Sequence, residues 1–357
     1  MAPVCVRFAP SPTGFLHVGN IRTALVNWLF ARRHGGHFVL RIDDTDVERS
    51  SQSYTDAIKE DLRWLGLQWD SEVHQSARFD AYHSASEKLR AAGRLYPAYE
   101  TPEELEIQRK MQAGRGLPPI YNRAALKCSD AQKQQWEAEG RKPHWRFLLN
   151  DEEMAWQDLV RGEVRLKAAH MSDPVLLRED GVPVYTLASV VDDHDLGITH
   201  VIRGEDHVSN TAVQVQLSQA LGFNVPQFAH LALLKTKEGG LSKREGGGDI
   251  RSLREAGILP MAIDSYLGRI GTSDAIEAFA ALKPLVDAFD FGKFGRAPAH
   301  YDEQELARLN EKLLHHLPFE AVKSQLPFAG EAFWLSVRGN IKTVIEAKLR
   351  RVSVLWR

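Results

Sequence analysis

Cysteine is nearly absent: Cys5 and Cys128 are the only two among 357 residues, which excludes a disulfide framework and a cysteine-rich zinc site. No uninterrupted apolar run approaches the roughly 20 residues that a membrane-spanning helix needs. The N-terminus also lacks the basic segment followed by an apolar one that marks a signal peptide. A cytoplasmic protein with no membrane association is expected. An excess of either charge is missing too. The net charge of −2 leaves a nucleic-acid partner open, because a near-neutral chain can still carry a basic face. Finally, no G-x-G-x-x-G lies between the first strand and the first helix, which disfavours a dinucleotide-dependent dehydrogenase.

What is present is the 43% hydrophobic and 26% charged composition of a soluble globular protein, on a chain long enough for two or three domains. Its organising stretch is Val4 to Asn20. Val4, Val6 and Phe8 alternate like a short strand, Pro10, Pro12 and Gly14 punctuate a tight loop, and Ile21, Ala24, Leu25, Trp28 and Leu29 recur at helical spacing. His17, Val18, Gly19 and Asn20 therefore fall where the loop becomes a helix. Free backbone N–H groups and the positive end of the helix dipole attract phosphate at such a junction, and Gly19 lets a ligand lie against the backbone. His17 can donate a hydrogen bond to charge developing on a phosphoryl oxygen.

The β-rich run Phe38 to Ile42 follows this helix and ends in Asp43, Asp44 and Asp46. Strand, helix and strand imply a right-handed crossover in a parallel sheet, with ligands gathered beyond the carboxyl ends of its strands. Two amphipathic packing helices are predicted next, around Ile58, Leu62 and Leu65 before Gly66, and around Tyr82, Ala85 and Leu89 before Gly93. Thr101 to Pro143 is polar and reads as an insertion. Its basic residues Arg109, Lys110, Arg115 and Arg123 read as a solvated face that could also touch phosphate. The sheet is expected to resume near Val175, with strands at Val184–Thr186 and Thr199–Arg203. Between them Asp192, Asp193, His194 and Asp195 crowd together, though aspartates at a strand end cap turns far more often than they bind metal. Arg203 to His207 ends the next strand on the ligand side. Phe228 to Leu234 leads into the glycine-flanked arm Lys235 to Gly248, whose Leu241, Ser242, Lys243 and Arg244 could close over a phosphate.

Together these residues resemble the class I aminoacyl-tRNA synthetases, and within them the bacterial glutamyl-tRNA synthetases. The first family signature, ideally His-Ile-Gly-His, appears as His17, Val18, Gly19, Asn20. The second, ideally Lys-Met-Ser-Lys-Ser, appears as Gly240, Leu241, Ser242, Lys243, Arg244. The flanking segments RFAPSPTG (7–14), RIDDTD (41–46), VVDDHDLGITHVIRGEDH (190–207) and LREAGILP (253–260) also match. The related glutaminyl enzymes carry proline and glutamate where this chain has Ala9 and Ser11, which favours glutamate.

The resemblance implies an α/β fold: a Rossmann-like parallel-sheet catalytic domain (1–100 and 175–249) with an inserted acceptor-binding subdomain (101–174). A helical stem-contact domain (250–320) would follow, and 321–357 would begin a truncated helical anticodon-binding region. It implies that His17, Gly19, Asn20, Asp206, Leu241, Ser242 and Lys243 meet ATP, with His17 and Lys243 catalytic. Arg7, Ala9, Ser11, Asp43, Tyr185, Ser189 and Arg203 would hold glutamate. ATP with Mg²⁺, L-glutamate and the tRNA for glutamate are the implied partners of a monomer, and charging of the tRNA for glutamine stays open. The family usually needs tRNA for the first step too. This chain departs from the family pattern at four places. Asp43 stands where glutamate is frequent, Ser189 where some members have asparagine, and Gly240 in place of the first signature lysine. Tyr99 and Glu100 lie where zinc-binding members have cysteines, so no zinc is expected. Glutamyl transfer to a modified tRNA base, or a non-catalytic tRNA-binding role, are the alternatives. The Ser252–Leu317 region counts against the first, and His17, Lys243 and Arg203 together count against the second.

Overall fold

The computed structural model describes residues 3–236, 239–240 and 248–355. Three short segments, β1 (Cys5–Phe8), β2 (His37–Ile42) and β3 (Ser71–His74), pair in parallel, with Val6 opposite Phe38 and Val39 opposite Ser71. Further along, β4 (His200–Gly204) and β5 (Gln227–Leu231) pair in parallel with Ile202 opposite Ala229. The two sets meet through Thr199. Its N–H donates to the Cys5 carbonyl at 2.9 Å, and its hydroxyl accepts from the Cys5 N–H at 2.9 Å. The start of β1 thus lies beside the start of β4, their carboxyl ends point the same way, and the order is β3-β2-β1-β4-β5.

In such an order the crossovers leave β1 in opposite directions, so a crevice opens beyond the carboxyl ends of β1 and β4. The central strands bury side chains on both faces, so their apolar residues, among them the fully buried Val6, Phe38 and Leu40, do not simply alternate with solvent-facing ones. Helix α1 (Val18–Arg33) covers one face with Ile21, Leu25 and Leu29. The return from α1 to β2 requires Gly36, since a Cβ there would collide with the Val4 carbonyl to which the next residue, His37, donates its N–H at 2.8 Å.

Two expectations change. Val184–Thr186 is not a strand: Tyr185 begins helix α2 (Tyr185–Asp195). Its Tyr-Thr-Leu-Ala-Ser-Val-Val run looks strand-like because α2 is buried on several sides, which hides helical periodicity. Val175–Leu177 likewise lies outside the parallel sheet. It pairs antiparallel with His144–Phe147, which pairs with Leu95–Ala98. Within 101–174, the strand Glu153–Asp158 lies parallel to β5 through Asp158 and Phe228 and forms a hairpin with Gly162–Lys167. Helices Pro102–Gly114 and Asp130–Ala138 of the same range bury none of their residues, and Arg123 is tied to Asp173 at 2.8 Å.

Beyond Ile250 the chain is helical. Pro260–Arg269 packs on α1, and its Ile263, Tyr266 and Leu267 share one apolar core with Leu25 and Leu29. The core extends to Trp334, fully buried, whose Nε1–H donates to the Leu317 carbonyl at 2.9 Å. The short strand Ala299–His300 runs parallel to Leu234–Thr236, at the base of the glycine-flanked arm. Near the end of the described chain, Arg338 donates to the Leu317 carbonyl at 3.0 Å and Arg350 to the Asn340 carbonyl at 2.6 Å. Among the described residues no helix is long and apolar enough to cross a membrane.

Candidate active site

A cleft of about 780 Å³ opens beyond the carboxyl ends of β1, β2, β4 and β5. Of the residues singled out above, Arg7, Ala9, Ser11, His17, Gly19, Asn20, Asp43, Tyr185, Arg203 and Asp206 line it. Ser189 does not. It is fully buried and accepts from Gln214 Nε2 at 2.8 Å, so it sits behind Arg203 instead of on the cleft wall. Leu241, Ser242 and Lys243 lie outside the described residues.

His17 caps α1. Its Nδ1 accepts from the Gly19 N–H at 3.1 Å, and its own N–H donates to Asn20 Oδ1 at 3.2 Å. With Nδ1 an acceptor, the neutral ring carries its proton on Nε2. The Val18 N–H donates to the Gly248 carbonyl at 2.9 Å, and Ile250 N–H to the Leu16 carbonyl at 3.3 Å. These bonds change the picture of open backbone amides, because the N–H groups of His17, Val18 and Gly19 are already used. What this end of α1 offers a phosphate is its dipole and the His17 ring. The same bonds clamp the signature onto the segment that follows the arm.

The loop before α1 is stapled as well. The Pro10 carbonyl accepts from the Asp43 N–H at 3.0 Å, and the Pro12 carbonyl from the Ser51 N–H at 3.1 Å. Asp43 in turn grips Arg41, with Nε at 2.7 Å from Oδ1 and Nη2 at 3.1 Å from Oδ2. Burial pushes the Asp43 carboxyl up to about 6, against the opposing pull of Arg41. It therefore stays ionised at neutral pH.

The aspartate cluster occupies the C-terminal end of α2, where the helix dipole disfavours negative charge. Arginines offset it. Asp193 Oδ1 accepts from Arg7 Nε at 3.0 Å and from Arg41 Nη1 at 2.9 Å. Asp192, fully buried, accepts from Arg78 Nε at 2.6 Å, Gln75 Nε2 at 2.8 Å and the Tyr82 hydroxyl at 2.9 Å. Asp195 takes Arg78 Nη2 at 2.5 Å. The cluster therefore latches α2 to β1, β2 and the turn after β3. Among the described residues, no group of three or more His, Cys, Asp or Glu side chains could hold a metal. The Tyr99 hydroxyl donates to Glu137, and Glu100 accepts from the Tyr121 hydroxyl at 2.7 Å.

Arg203 differs from Arg7 and Arg41, which are paired with aspartates. It is 5% exposed, and its hydrogen-bond partners are all neutral: the Tyr185 hydroxyl at 3.1 Å, Thr211 Oγ1 at 2.7 Å, Gln214 Oε1 at 2.8 Å, His230 Nε2 at 3.3 Å and the His207 carbonyl at 3.5 Å. Burial lowers its pKa from the usual 12.5. A guanidinium so placed keeps its charge without a carboxylate partner in the protein, and its planar fork can pair with an anion that enters the cleft. Thr211, Gln214, His230 and Asp158, which complete this shell, carry no local sequence signal. Asp206 lies in the turn after β4, with its side chain 58% exposed. Gly204 makes room for it, as a Cβ there would strike Asp206 Oδ1.

The profile of the family described as "tRNA synthetases class I (E and Q), catalytic domain" matches residues 3–308. The chain is 54% identical over 355 residues to glutamate–tRNA ligase 1 of Maricaulis maris, covering 98% of this chain and 80% of that one. It is 56% identical over 346 residues to glutamate–tRNA ligase 2 of Sphingopyxis alaskensis, covering 96% and 77%. A crystal structure of a glutamate tRNA ligase from Elizabethkingia meningosepticum in complex with its amino acid superposes with a TM-score of 0.86 at 30% identity, covering 96% of this chain and 78% of that one.

Proposed function

The chain belongs to the class I tRNA synthetases of the glutamate and glutamine group, and from that premise we propose that it activates L-glutamate with ATP and transfers it to the 3′ end of tRNA. Glutamate–tRNA ligase activity is the function carried by relatives that are 54–56% identical over nearly the whole chain. The observation that carries the substrate choice is Arg203, a buried cation on the cleft wall with only neutral partners. The γ-carboxylate of glutamate supplies the missing charge. A glutamine amide would leave the guanidinium buried and unpaired, and such a loss typically costs several kcal/mol.

In this reading Tyr185 forms one wall beside that carboxylate, and Asp43 faces the α-amino group, with Arg7, Ala9 and Ser11 completing the pocket. Ser189 acts through Gln214. His17, Gly19 and Asn20 receive ATP, with Asp206 as the acidic contact and Leu241, Ser242 and Lys243 closing from the arm. The α-carboxylate of glutamate attacks the α-phosphorus, pyrophosphate leaves, and a terminal ribose hydroxyl of tRNA then takes the glutamyl group from the adenylate. No protein nucleophile is required. Positioning and electrostatic stabilisation carry the rate. The His17 Nε2–H can donate to charge developing on a phosphoryl oxygen. Mg²⁺ would neutralise the phosphates. With no caging cluster among the described residues, the phosphate oxygens would be its main ligands, with Asp206 the exposed carboxylate on the cleft wall. The enzyme works as a cytoplasmic monomer, on the tRNA for glutamate and, as an open choice, that for glutamine.

The test is incubation with labelled glutamate, ATP and unfractionated tRNA, followed by mild base. Label released by base and absent from periodate-oxidised tRNA is expected. Label that survives on oxidised tRNA points to a modified base, and no label points to a binding role. Lys243→Ala should abolish most turnover with the melting temperature unchanged, and near-normal turnover in that variant would sink the assignment of the arm.

A further inference from the structure

Behind Arg203 lies a buried pair that the reaction does not touch. His230 and Asp158 are 0% and 2% exposed. His230 Nδ1–H donates to Asp158 Oδ2 at 2.5 Å. Its Nε2, on the opposite side of the ring, faces Arg203 Nε at 3.3 Å and the Thr211 hydroxyl at 2.9 Å. Arg203 Nε–H is always a donor, so Nε2 must be an acceptor there. A neutral imidazole offers one acceptor nitrogen, and which one it is depends on where the other finds its partner. Asp158, by accepting at Nδ1, makes that choice.

We propose that Asp158 and His230 are positioning residues that hold Arg203 in the orientation required to receive the substrate carboxylate, with Asp158 acting by fixing the tautomer of His230. The inference rests on Arg203 being the carboxylate site. Asp158 is suited to the task because it is itself immobile. Its Oδ1 accepts from the N–H groups of Val160 at 3.0 Å, Arg161 at 2.9 Å and His230 at 3.2 Å. Its strand lies parallel to β5, with Asp158 opposite Phe228, two residues before His230. A carboxylate that only shaped this turn would need Oδ1 alone. Oδ2 is spent on the imidazole.

This separation of the two oxygens makes a clean substitution available. In Asp158→Asn, Oδ1 keeps its three amide bonds while the new amide nitrogen can only donate to Nδ1. The proton then moves to Nε2, where two donors, Nε2–H and Arg203 Nε–H, confront each other. His230→Gln removes the tautomer altogether and leaves a side-chain oxygen able to accept from Arg203. Steady-state glutamylation of tRNA by the full chain should show the KM for glutamate raised tenfold or more in Asp158→Asn, with the KM for ATP and the melting temperature little changed. His230→Gln should lie within about threefold of the parent, and adding Asp158→Asn to it should cause no further loss. Nitrogen-15 NMR of His230 should show an unprotonated Nε2 in the parent and a protonated one in Asp158→Asn.

The proposal is overturned by a parent Nε2 that bears the proton, or by Asp158→Asn leaving the KM for glutamate unchanged. It also falls if Asp158→Asn costs the same in the His230→Gln background, since that would make Asp158 a turn residue only. Arg203→Gln separates the layers. If Arg203→Gln itself leaves the KM for glutamate unaltered, the carboxylate-site reading fails. If Arg203→Gln raises that KM and Asp158→Asn does not, only the present inference fails.

Discussion

Asp193→Asn tests the charge latch of the cleft most directly. Asp193 Oδ1 takes Arg7 Nε at 3.0 Å and Arg41 Nη1 at 2.9 Å, while Oδ2 takes Arg7 Nη2 at 3.4 Å. Arg7 is 3% exposed and Arg41 fully buried. Asparagine can keep the two bonds to Oδ1, so the shape survives. The charge between the two guanidiniums does not, and an NH₂ replaces the acceptor facing Arg7 Nη2. Removing one partner of a buried ion pair typically costs about 3–5 kcal/mol, set against a total stability of roughly 5–15 kcal/mol. Asp43 still faces Arg41, which argues for the lower end of that range.

The assay is urea unfolding at several pH values. Burial works against ionisation of Asp193, but Arg7 and Arg41 hold its carboxyl below the ordinary 3.8. A depressed folded pKa contributes stability that is present above the unfolded value and lost as pH falls through the folded one. The gap between parent and variant should therefore be constant from pH 8 to pH 5 and shrink only below pH 3.8. A gap under about 1 kcal/mol at pH 7.5, the size of an exposed pair, would refute the reasoning.

Asp43 should give the KM for glutamate an acid limb. As pH falls through about 6 the carboxylate is protonated and its attraction for the substrate ammonium is lost, so KM rises; in Asp43→Asn the limb should vanish. Asp264 is fully buried, neither oxygen has a hydrogen-bond partner, and burial raises its pKa well above 3.8. A raised folded pKa contributes stability that is present at low pH and lost as pH rises. Asp264→Asn should therefore raise the denaturation midpoint relative to the parent more at pH 8.5 than at pH 5, and equal midpoint differences would contradict this. Gly204→Ala should push Asp206 out of place and raise the KM for ATP about tenfold with an unchanged melting curve, because an exposed carboxylate can move without unfolding anything. An unchanged KM would remove Asp206 from the ATP site.

Wherever local chemistry decides the structure, the residues announce it. Pro10, Pro12 and Gly14 mark the loop, the spacing of Ile21, Leu25 and Leu29 marks α1, and Gly66 and Gly93 end their helices with φ values of +75° and +67°. The cleft follows from the same signals, since Arg7, Asp43 and Arg203 each end or follow a strand. What escaped is tertiary. Nothing near Asp158 signals His230, which lies 72 residues away; only the register of Phe228 against Asp158 brings them together. Burial of α2 on several sides hid its helical period, and so Asp192 and Asp193 looked like a turn when they are the arginine anchor of a helix end.

The bonds from Val18 to Gly248 and from Ala299 to Leu233 have a practical consequence. They flank residues 237–247 on both sides and join the part before that stretch to the part after it, as does the apolar core shared by α1 and Pro260–Arg269. Cleaving the peptide chain once within 237–247 would sever the sequence but not the assembly. Two fragments divided on the N-terminal side of Leu241, so that Lys243 stays joined to Gly248, should find each other and rebuild the cleft, which would make this protein a natural candidate for a split enzyme.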